Sequence, residues 1–202
     1  MTSEDTNGGE PENFISAPDK LGRQGLVKYF LGGTGNCVTL EGIRFSPKTS
    51  TSLQIFTTGN DGSITIGRLR RTIDVTLRVG GKSRLRIGTE TSFRRNVTIH
   101  ASDNCSIEIG EDCMFSSNIM VRSTDSHAIY DRTSGKRINP DDDIVIGSHV
   151  WVGEGCKILK GAHIGDGCVI GAGAVISGII APHCVAVGSP ARVVRENIRW
   201  ER

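Results

Sequence analysis

A strict six-residue period constrains the fold of this chain more than any other feature of its sequence. Between residues 146 and 176, aliphatic side chains recur at intervals of six. They are Ile146, Val152, Ile158, Ile164, Ile170 and Ile176. Neither the period of about 3.6 residues of an α-helix nor the simple alternation of an ordinary strand accounts for this spacing. The repeat therefore predicts a solenoid of short strands joined by tight corners.

A second set of small or aliphatic side chains precedes each of these residues by two positions. The set consists of Ile144, Val150, Cys156, Ala162, Cys168 and Ala174. Side chains two apart in a strand lie on the same face, so both sets are predicted to point into the interior. Glycines at corners between the strands suit backbone that needs positive φ. Three such hexads complete one triangular coil, which buries its face by stacking on the next coil.

The pattern continues upstream in looser form and sets the predicted domain boundaries. Ile87, Phe93 and Ile99 share one frame, and a second frame begins at Ile109 after a phase break near Cys105. We therefore assign residues 21–189 to one β-helix domain with irregular first coils. Residues 1–20 are rich in Glu, Asp, Asn, Gly and Pro, which predicts a mobile tail. Apolar residues spaced after Pro190 predict a short C-terminal helix over residues 190–202.

Composition favours a protein of the cytoplasm without a metal site. No stretch reaches the roughly 20 apolar residues of a transmembrane helix. Residues 1–20 are too polar for the apolar core of a signal peptide. The six cysteines form no CxxC pair, which argues against a zinc ribbon or a redox motif. We interpret them as small buried hydrophobic residues.

The repeat breaks between residues 123 and 143. If the upstream frame continued, the next inward positions would be Asp125 and His127, whose burial in an apolar interior would be costly. The segment is polar and contains two turn signals, so it is predicted to be a loop that protrudes from the solenoid. A rigid frame with one polar loop is where function is expected, although His127 alone could be an ordinary surface histidine.

Trp151 is the second outlier. It lies between the inward-facing Val150 and Val152, so its indole is predicted to point outwards. A bulky outward aromatic side chain either forms the wall of a ligand groove or packs against a neighbouring subunit.

Four segments carry a resemblance to a known family. They are Ser123-Thr-Asp-Ser-His127-Ala-Ile-Tyr-Asp131, Ile146-Gly-Ser-His-Val-Trp151-Val-Gly153, Ile158-Leu-Lys-Gly161 and Gly188-Ser-Pro-Ala191. Together with the strict repeat they resemble the hexapeptide-repeat O-acetyltransferases of bacterial polysaccharide biosynthesis, in particular capsule and polysialic-acid O-acetyltransferases. The likeness covers about residues 85–202. It implies an all-β fold, a left-handed parallel β-helix, whose handedness the period itself does not reveal.

The resemblance also implies a reaction and an assembly. The family transfers an acetyl group from acetyl-coenzyme A to a sugar hydroxyl, and its homotrimers form each site between neighbouring subunits. By position, the general base falls on His127 and the coenzyme-lining tryptophan on Trp151. A hydroxyl is a poor nucleophile, so a base must take its proton as it attacks the thioester. We expect direct transfer without a covalent enzyme intermediate, helped by a backbone N–H donor to the oxyanion.

Further contacts are predicted by position. Coenzyme contacts are assigned to Lys160, Gly171, Arg192 and Arg195, although the charged residues could equally be solvated surface groups. Substrate contacts are assigned to Asn96, Asp103, Asn118 and Asp125, although Asn and Asp are also favoured in turns. Ser189 stands where the family commonly has Asn, and Ser177-Gly178 replaces a Thr-Lys pair, so the coenzyme phosphates receive no assigned partner.

A basic stretch points to an anionic partner. Between Arg68 and Arg95 there are nine Lys or Arg residues against two acidic residues. Arg78, Arg84 and Arg86 alternate with inward side chains and so project outwards. This face either holds an anionic glycan or simply favours solubility. No nucleic-acid-binding motif is present.

Several alternatives share the predicted solenoid. A serine O-acetyltransferase or a nucleotide-sugar N-acetyltransferase would use the same donor with a different acceptor. A γ-type carbonic anhydrase needs three zinc-binding histidines, two of them five residues apart, and no pair of histidines in this chain has that spacing. A non-enzymatic solenoid would show regular outward arrays and would need no polar loop.

Overall fold

The computed structural model describes residues 11–17, 27–45 and 52–202, and within these residues it contains 23 strands and no helix. None of the described segments therefore includes a helix that could cross a membrane. The strands form three sheets, here called A, B and C.

Sheets A and B are built from parallel strands only. Sheet A contains, in spatial order, β1 (Phe14–Ser16), β3 (Cys37–Leu40), β6 (Ser63–Ile66), β9 (Arg84–Ile87), β12 (Ser106–Ile109), β15 (Ile144–Ile146), β18 (His163–Ile164) and β21 (Ile179–Ile180). Sheet B contains β2 (Val27–Gly32), β5 (Ser52–Thr58), β8 (Asp74–Val79), β11 (Val97–Ala101), β14 (Ile119–Arg122), β17 (Lys157–Leu159) and β20 (Val175–Ile176).

Sheet C completes the solenoid. It contains β4 (Ile43–Phe45), β7 (Leu69–Thr72), β10 (Ser92–Phe93), β13 (Met114–Phe115), β16 (Trp151–Val152), β19 (Val169–Ile170), β22 (Val185–Gly188) and β23 (Ala191–Arg195). The chain passes through sheets B, A and C in turn, so the sheets are the three faces of a triangular prism. The predicted parallel β-helix is confirmed.

The interior consists of stacked rows that the period predicts. The six repeated residues from Ile146 to Ile176 are at most 2% exposed, and all six residues of the second set, which precede them by two positions, are fully buried. In sheet C the inner row includes Phe93, Phe115 and Val152, which are neighbours in the strand register. The rings of Phe93 and Phe115 lie 4.9 Å apart in a tilted arrangement. Each coil thus covers the apolar face of the preceding coil.

The predicted C-terminal helix is wrong. Residues 191–195 form β23, which pairs antiparallel with β22, and the rest of the chain to Arg202 contains neither helix nor strand. Pairing with β23 satisfies backbone groups that β22 would otherwise expose at the edge of the sheet. An isolated helix of this length would gain little by itself. The sheet edge therefore decides the conformation of this segment.

The predicted tail over residues 1–20 falls largely outside the described residues. Within residues 11–17, Phe14–Ser16 form β1 and pair with β3 of sheet A. Asn13 also joins the fold, because its Oδ1 accepts hydrogen bonds from both the backbone N–H and the side-chain amide of Asn36.

One inward position of sheet C carries an unsatisfied hydroxyl. Thr72 is fully buried beside Phe93 in the strand register, and its Oγ1 has no hydrogen-bond partner among the described residues. Replacing Thr72 with valine keeps the shape and removes the desolvated hydroxyl. We expect Thr72→Val to raise the free energy of unfolding by about 1 kcal/mol, measured by urea denaturation.

Thr91 provides the matched control. It is equally buried, but its Oγ1 donates to the Gly110 carbonyl at 3.1 Å and accepts from the Cys113 N–H at 3.1 Å. Thr91→Val should therefore lower the free energy of unfolding by about 1–3 kcal/mol. A loss of stability in Thr72→Val similar to that in Thr91→Val would contradict the assignment.

Candidate active site

The polar loop is inserted at one corner of the prism. We call this corner, where the chain passes from sheet B to sheet A, the B–A corner. It carries residues 102–105 in one coil, the loop of residues 123–143 in the next, and residues 160–162 in the one after. The loop leaves sheet B after β14 and enters sheet A at β15. The predicted protrusion is confirmed, because the stacking of β12 on β15 and β14 on β17 continues past it.

Asn139 holds the loop together. The residue is buried, with only 8% of its surface exposed. Its Nδ2 donates to Asp125 Oδ2 and to the His127 carbonyl, both at 2.9 Å. Its Oδ1 accepts the Ile129 N–H at 2.6 Å. A single amide therefore fixes the backbone at His127 and Ile129 and orients the Asp125 carboxylate.

An ion pair ties the loop to the following coil. Lys160 Nζ lies 2.6 Å from Asp125 Oδ2 and donates to the Pro140 carbonyl at 2.9 Å. Hydrogen bonds from Lys160 and Asn139 lower the pKa of the Asp125 carboxyl. Because that pKa is lowered, this contribution to loop anchoring is present at neutral pH and is lost as the pH falls through it. Lys160, predicted to contact the coenzyme, is thus occupied within the loop anchor, as is Asp125.

The imidazole of His127 is exposed and makes no side-chain hydrogen bond among the described residues. Its backbone is nonetheless held by Asn139, and the loop beyond it is closed by the Ile138 N–H, which donates to the Ile129 carbonyl at 2.8 Å. A fixed backbone with a free imidazole is suited to accept a proton from a group outside the protomer.

The predicted substrate residues divide between two corners. Asp103 lies at the B–A corner, where its Oδ1 accepts the Gly81 N–H at 2.7 Å. Asn96 and Asn118 lie at the corner between sheets C and B, away from His127. Asn96 Nδ2 donates to Asn118 Oδ1 at 2.9 Å, and Asn118 Nδ2 donates to Glu154 Oε1 at 3.1 Å. Both asparagines have positive φ, so their observed contacts are those of stacked turns.

Trp151 projects from the outer face of sheet C and is 39% exposed. In the strand register its neighbours are Met114 and Val169. The outward orientation predicted from the sequence is confirmed. A prism corner faces the opposite sheet, so Trp151 and the B–A corner with His127 lie on different sides of one protomer.

The C-terminal segment packs beside Trp151. The Trp200 ring lies 6.0 Å from the Trp151 ring and stacks on the His149 imidazole with centroids 4.0 Å apart. Trp200 Nε1 donates to the His149 carbonyl at 3.0 Å. Arg202 fastens the end of the chain with hydrogen bonds that include one from its Nε to Asp112 Oδ1 at 2.8 Å. Sequence reasoning did not associate Trp200 with Trp151.

The remaining predicted coenzyme residues lie on one strand, β23, and at the corner after β19. Arg195 lies in the same register row as Trp151, through Val169 and Val185. Arg192 is exposed and donates to the Ala191 carbonyl at 2.9 Å. A Cβ at Gly171 would lie 2.6 Å from Val187 Cγ1, so a larger residue there would require the Val187 side chain to move.

The cysteines are unsuited to nucleophilic catalysis. All six are free, and five of them are buried, as predicted. Burial raises the pKa of the Cys113 thiol to about 11 and also raises the pKa of Cys156 and Cys168. Thiols in this state carry little thiolate at neutral pH. Across the part of the chain that the structure describes, no three His, Cys, Asp or Glu side chains group together as metal ligands do.

If His127 is the catalytic base predicted from the sequence, replacing Asn139 with alanine should reduce catalysis by displacing it. The substitution removes three hydrogen bonds that hold the loop. A misplaced catalytic group costs roughly 10- to 100-fold in kcat. Steady-state kinetics should show this fall with little change in KM for the acyl donor. Equal kcat values of the wild type and Asn139→Ala would contradict the positioning role.

Comparison with known proteins identifies relatives across the chain. The bacterial transferase hexapeptide family, defined by six repeats, matches residues 143–178. A polysialic acid O-acetyltransferase of Escherichia coli O1:K1 / APEC is 39% identical over 120 residues, which is 57% of this chain. This match spans 39% of the length of that relative. The chain thus aligns with about two fifths of this curated relative.

Solved structures extend the likeness to nearly the whole chain. The polySia-specific acetyltransferase NeuO superposes with a TM-score of 0.73 and 27% identity, covering 96% of this chain and 87% of that one. The polysialic acid O-acetyltransferase OatWY superposes with a TM-score of 0.56 and 31% identity, covering 86% of this chain and 91% of that one. The fold predicted from the six-residue period is that of these hexapeptide-repeat proteins.

Proposed function

Because this chain belongs to the hexapeptide-repeat transferases, with polysialic acid O-acetyltransferases among its relatives, we propose that it transfers an acetyl group from acetyl-coenzyme A to a sugar hydroxyl. The acceptor is a bacterial surface sugar or polysaccharide. The observation that carries the proposal is the loop of residues 123–143, which interrupts the solenoid, holds the backbone of His127 through Asn139 and leaves its imidazole free.

In the proposed reaction His127 acts as the general base. Its imidazole takes the proton of the acceptor hydroxyl while the hydroxyl oxygen attacks the thioester carbonyl. The carbon–sulfur bond then breaks, coenzyme A leaves as the thiolate, and the imidazolium can return the proton to it. The buried cysteines with raised pKa values favour this direct transfer over a covalent acyl-enzyme.

Trp151 is the proposed wall of the coenzyme groove. Its exposed indole stands in an outward row with Met114, Val169, Val185 and Arg195. Apolar side chains in this row would cover the acyl arm of the coenzyme, and Arg195 at its end is the candidate partner of an anionic group. Trp200 supports the indole from the side.

The proposed site combines residues of two protomers. His127 projects from the B–A corner and Trp151 from the opposite sheet, an arrangement that favours a site formed between neighbouring prisms. We therefore propose a homotrimer in which the loop of one subunit meets sheet C of the next, giving three sites related by symmetry. The cytoplasmic location stays a prediction from the sequence.

Mixing two impaired variants should restore activity at low acetyl-coenzyme A concentration if sites are shared. His127→Ala lacks the base, and Trp151→Ala should lose coenzyme affinity, because truncation of a central tryptophan costs about 2 kcal/mol or more. In trimers assembled from equal amounts of the two chains, about a quarter of the sites combine an intact His127 with an intact Trp151. Co-expression with two affinity tags, followed by thiol-release assays, measures this recovery.

The controls for mixing are the two homotrimers, each assayed alone at the same acetyl-coenzyme A concentration. Mixed trimers no more active than the average of these controls would show that both residues act within one protomer or that one of them has no catalytic role.

The proposed function itself is tested by release of free thiol from acetyl-coenzyme A against an acceptor panel. The panel contains sialic acid oligomers and polymers, neutral glycans, serine and amino nucleotide-sugars. Turnover confined to hydroxyl glycans supports the proposal. Turnover with serine or an amino sugar would assign the chain to a serine O-acetyltransferase or a nucleotide-sugar N-acetyltransferase, and no turnover with any acceptor would refute an acetyltransferase with these substrates.

A further inference from the structure

A row of side chains runs along the outer face of sheet B towards the loop. In the strand register Phe30 on β2 is followed by Phe56 on β5, Arg78 on β8, His100 on β11 and Arg122 on β14. We call this row the sheet B ladder. Adjacent strands lie about 4.8 Å apart, so the ladder extends over roughly 19 Å along the prism axis.

The aromatic end of the ladder is a stack of two rings whose edges line the outer face of sheet B. The rings of Phe30 and Phe56 are stacked with centroids 4.5 Å apart and an interplanar angle of 7°. Phe30 is 47% exposed, although the interior of the prism lies directly behind the sheet. Arg78 continues the stack, with its Cζ 4.4 Å from the centroid of the Phe56 ring. Such a stack holds the guanidinium flat and leaves its N–H edges available to a ligand.

The cationic end of the ladder lacks matching acids. Neither Arg78 nor Arg122 forms an ion pair with a carboxylate within the described segments, and Arg122 Nε is buried without a hydrogen-bond partner there. Burial, and then the charges of Arg122 and Arg78, lower the pKa of His100.

The nearby acids are already engaged. Of the two carboxylates that act on His100, Asp103 accepts the Gly81 N–H at 2.7 Å, and Asp141 pairs with Arg137 at 3.2 Å. The positive charge between β8 and β14 is therefore only partly compensated by the protein itself.

The ladder ends at the proposed active site. The guanidinium of Arg122 donates to the Ser126 hydroxyl, which immediately precedes His127. The other arginines that the sequence placed on a basic face lie elsewhere. Arg84 and Arg86 project from sheet A, where Glu108 is the register neighbour of Arg86. Of the three arginines predicted to form the basic face, only Arg78 therefore belongs to the sheet B ladder.

We propose that the sheet B ladder binds a carboxylate-bearing polysaccharide and guides it to the loop that carries His127. This inference rests on the proposed function and specifies its acceptor as a polymer. The exposed edges of the stacked phenyl rings would make apolar contact with the sugar units, while Arg78 and Arg122 would pair with carboxylates along the chain. The span of the ladder lets several sugar units bind at once, so long acceptors gain affinity that short ones lack.

A polyanionic glycan fits the ladder better than a single-stranded nucleic acid. Nucleic-acid grooves usually combine several aromatic platforms with a basic groove that tracks the backbone. Here the aromatic pair is confined to one end, and the cationic end leads directly to a transferase loop. An oligonucleotide is therefore the appropriate competing ligand in the test.

The test uses the full chain and an end-labelled sialic acid polymer. Fluorescence anisotropy gives Kd for the wild type, Arg78→Gln and Phe30→Ala, with Arg86→Gln on sheet A as a control of equal charge change. We expect Arg78→Gln to raise Kd about tenfold, equivalent to loss of one charge-assisted contact, and Phe30→Ala to raise it several-fold. Arg86→Gln should stay within about twofold of the wild type.

Acceptor kinetics separate the ladder from the catalytic loop. Arg78→Gln should raise KM for the polymer while kcat, and KM for a sialic acid dimer, stay at wild-type values. Equal effects of Arg78→Gln and Arg86→Gln, no binding of the polymer to the wild type, or tighter binding of an oligonucleotide of equal length would overturn the inference.

The outcomes also distinguish the ladder from the proposed function. If the protein binds the polymer through Arg78 but transfers no acetyl group, the binding role of the ladder is supported and the proposed acetyltransferase activity is refuted. If acetyl transfer to the polymer is unchanged in Arg78→Gln, the proposed activity is supported and the binding role of the ladder is refuted.

Discussion

Replacing His127 with alanine is expected to lower kcat for acetyl transfer by roughly 10²- to 10⁴-fold, the usual contribution of a positioned general base. The imidazole is exposed and free of intramolecular hydrogen bonds in the described segments, so its loss removes proton transfer without removing a structural contact. Initial rates of thiol release at saturating acetyl-coenzyme A measure kcat directly. The thermal unfolding midpoint and the Kd for acetyl-coenzyme A should match those of the wild type.

His163→Ala is the matched control for His127. His163 is another exposed histidine, but it lies on β18 of sheet A and outside the loop. Its replacement should leave kcat within about twofold of the wild type, as expected for a surface substitution. If His127→Ala retains more than a tenth of wild-type kcat, or if both variants lose equal activity, His127 is not the base.

Replacing Phe115 with alanine is expected to lower the free energy of unfolding by about 3–5 kcal/mol. Phe115 is completely buried, packs against Phe93 at 4.9 Å, and lies between Phe93 and Val152 in the inner row of sheet C. Stacked strands leave little freedom to close the resulting cavity. A loss of this size is a large fraction of the stability of an ordinary domain.

Urea denaturation followed by circular dichroism measures this loss. Val194→Ala is the control, because Val194 lies on β23 and is 59% exposed. That change should cost no more than about 0.5 kcal/mol. A cost below about 1 kcal/mol for Phe115→Ala would mean that the coils above and below collapse into the cavity.

The Phe115 substitution also bears on the loop. β13 directly precedes β14, from which the loop of residues 123–143 departs. If the cavity disturbs that coil, the position of His127 should change, and kcat should fall at temperatures where the protein is still folded. Comparing kcat with the unfolded fraction separates this effect from global unfolding.

The sequence alone determined the repeating part of this protein. Inward positions such as Val152 and Ile170 could be assigned because each strand is short and each coil repeats the same burial requirement. The loop could also be predicted from the sequence, because Asp125 and His127 fall at inward positions of the repeat where polar side chains cannot be buried. The outward direction of Trp151 followed from the alternation of side chains along a strand. All of these are local properties of the chain.

Only the tertiary structure decided which outward residues meet. Phe56 and Arg78 are 22 residues apart, Asp125 and Lys160 are 35 apart, and His149 and Trp200 are 51 apart. These separations differ because each contact depends on how many coils and insertions lie between its partners. Asn139 could be recognised as a turn residue but not as the amide that holds His127.

The C-terminal segment shows the same limit. Its apolar spacing fits a helix, but the open edge of β22 offers hydrogen bonds that a helix leaves unmade, and the segment pairs there as β23. Local periodicity determines which side chains a solenoid buries. Stacking of distant coils determines which exposed side chains become neighbours, and the proposed site and the sheet B ladder consist of such neighbours.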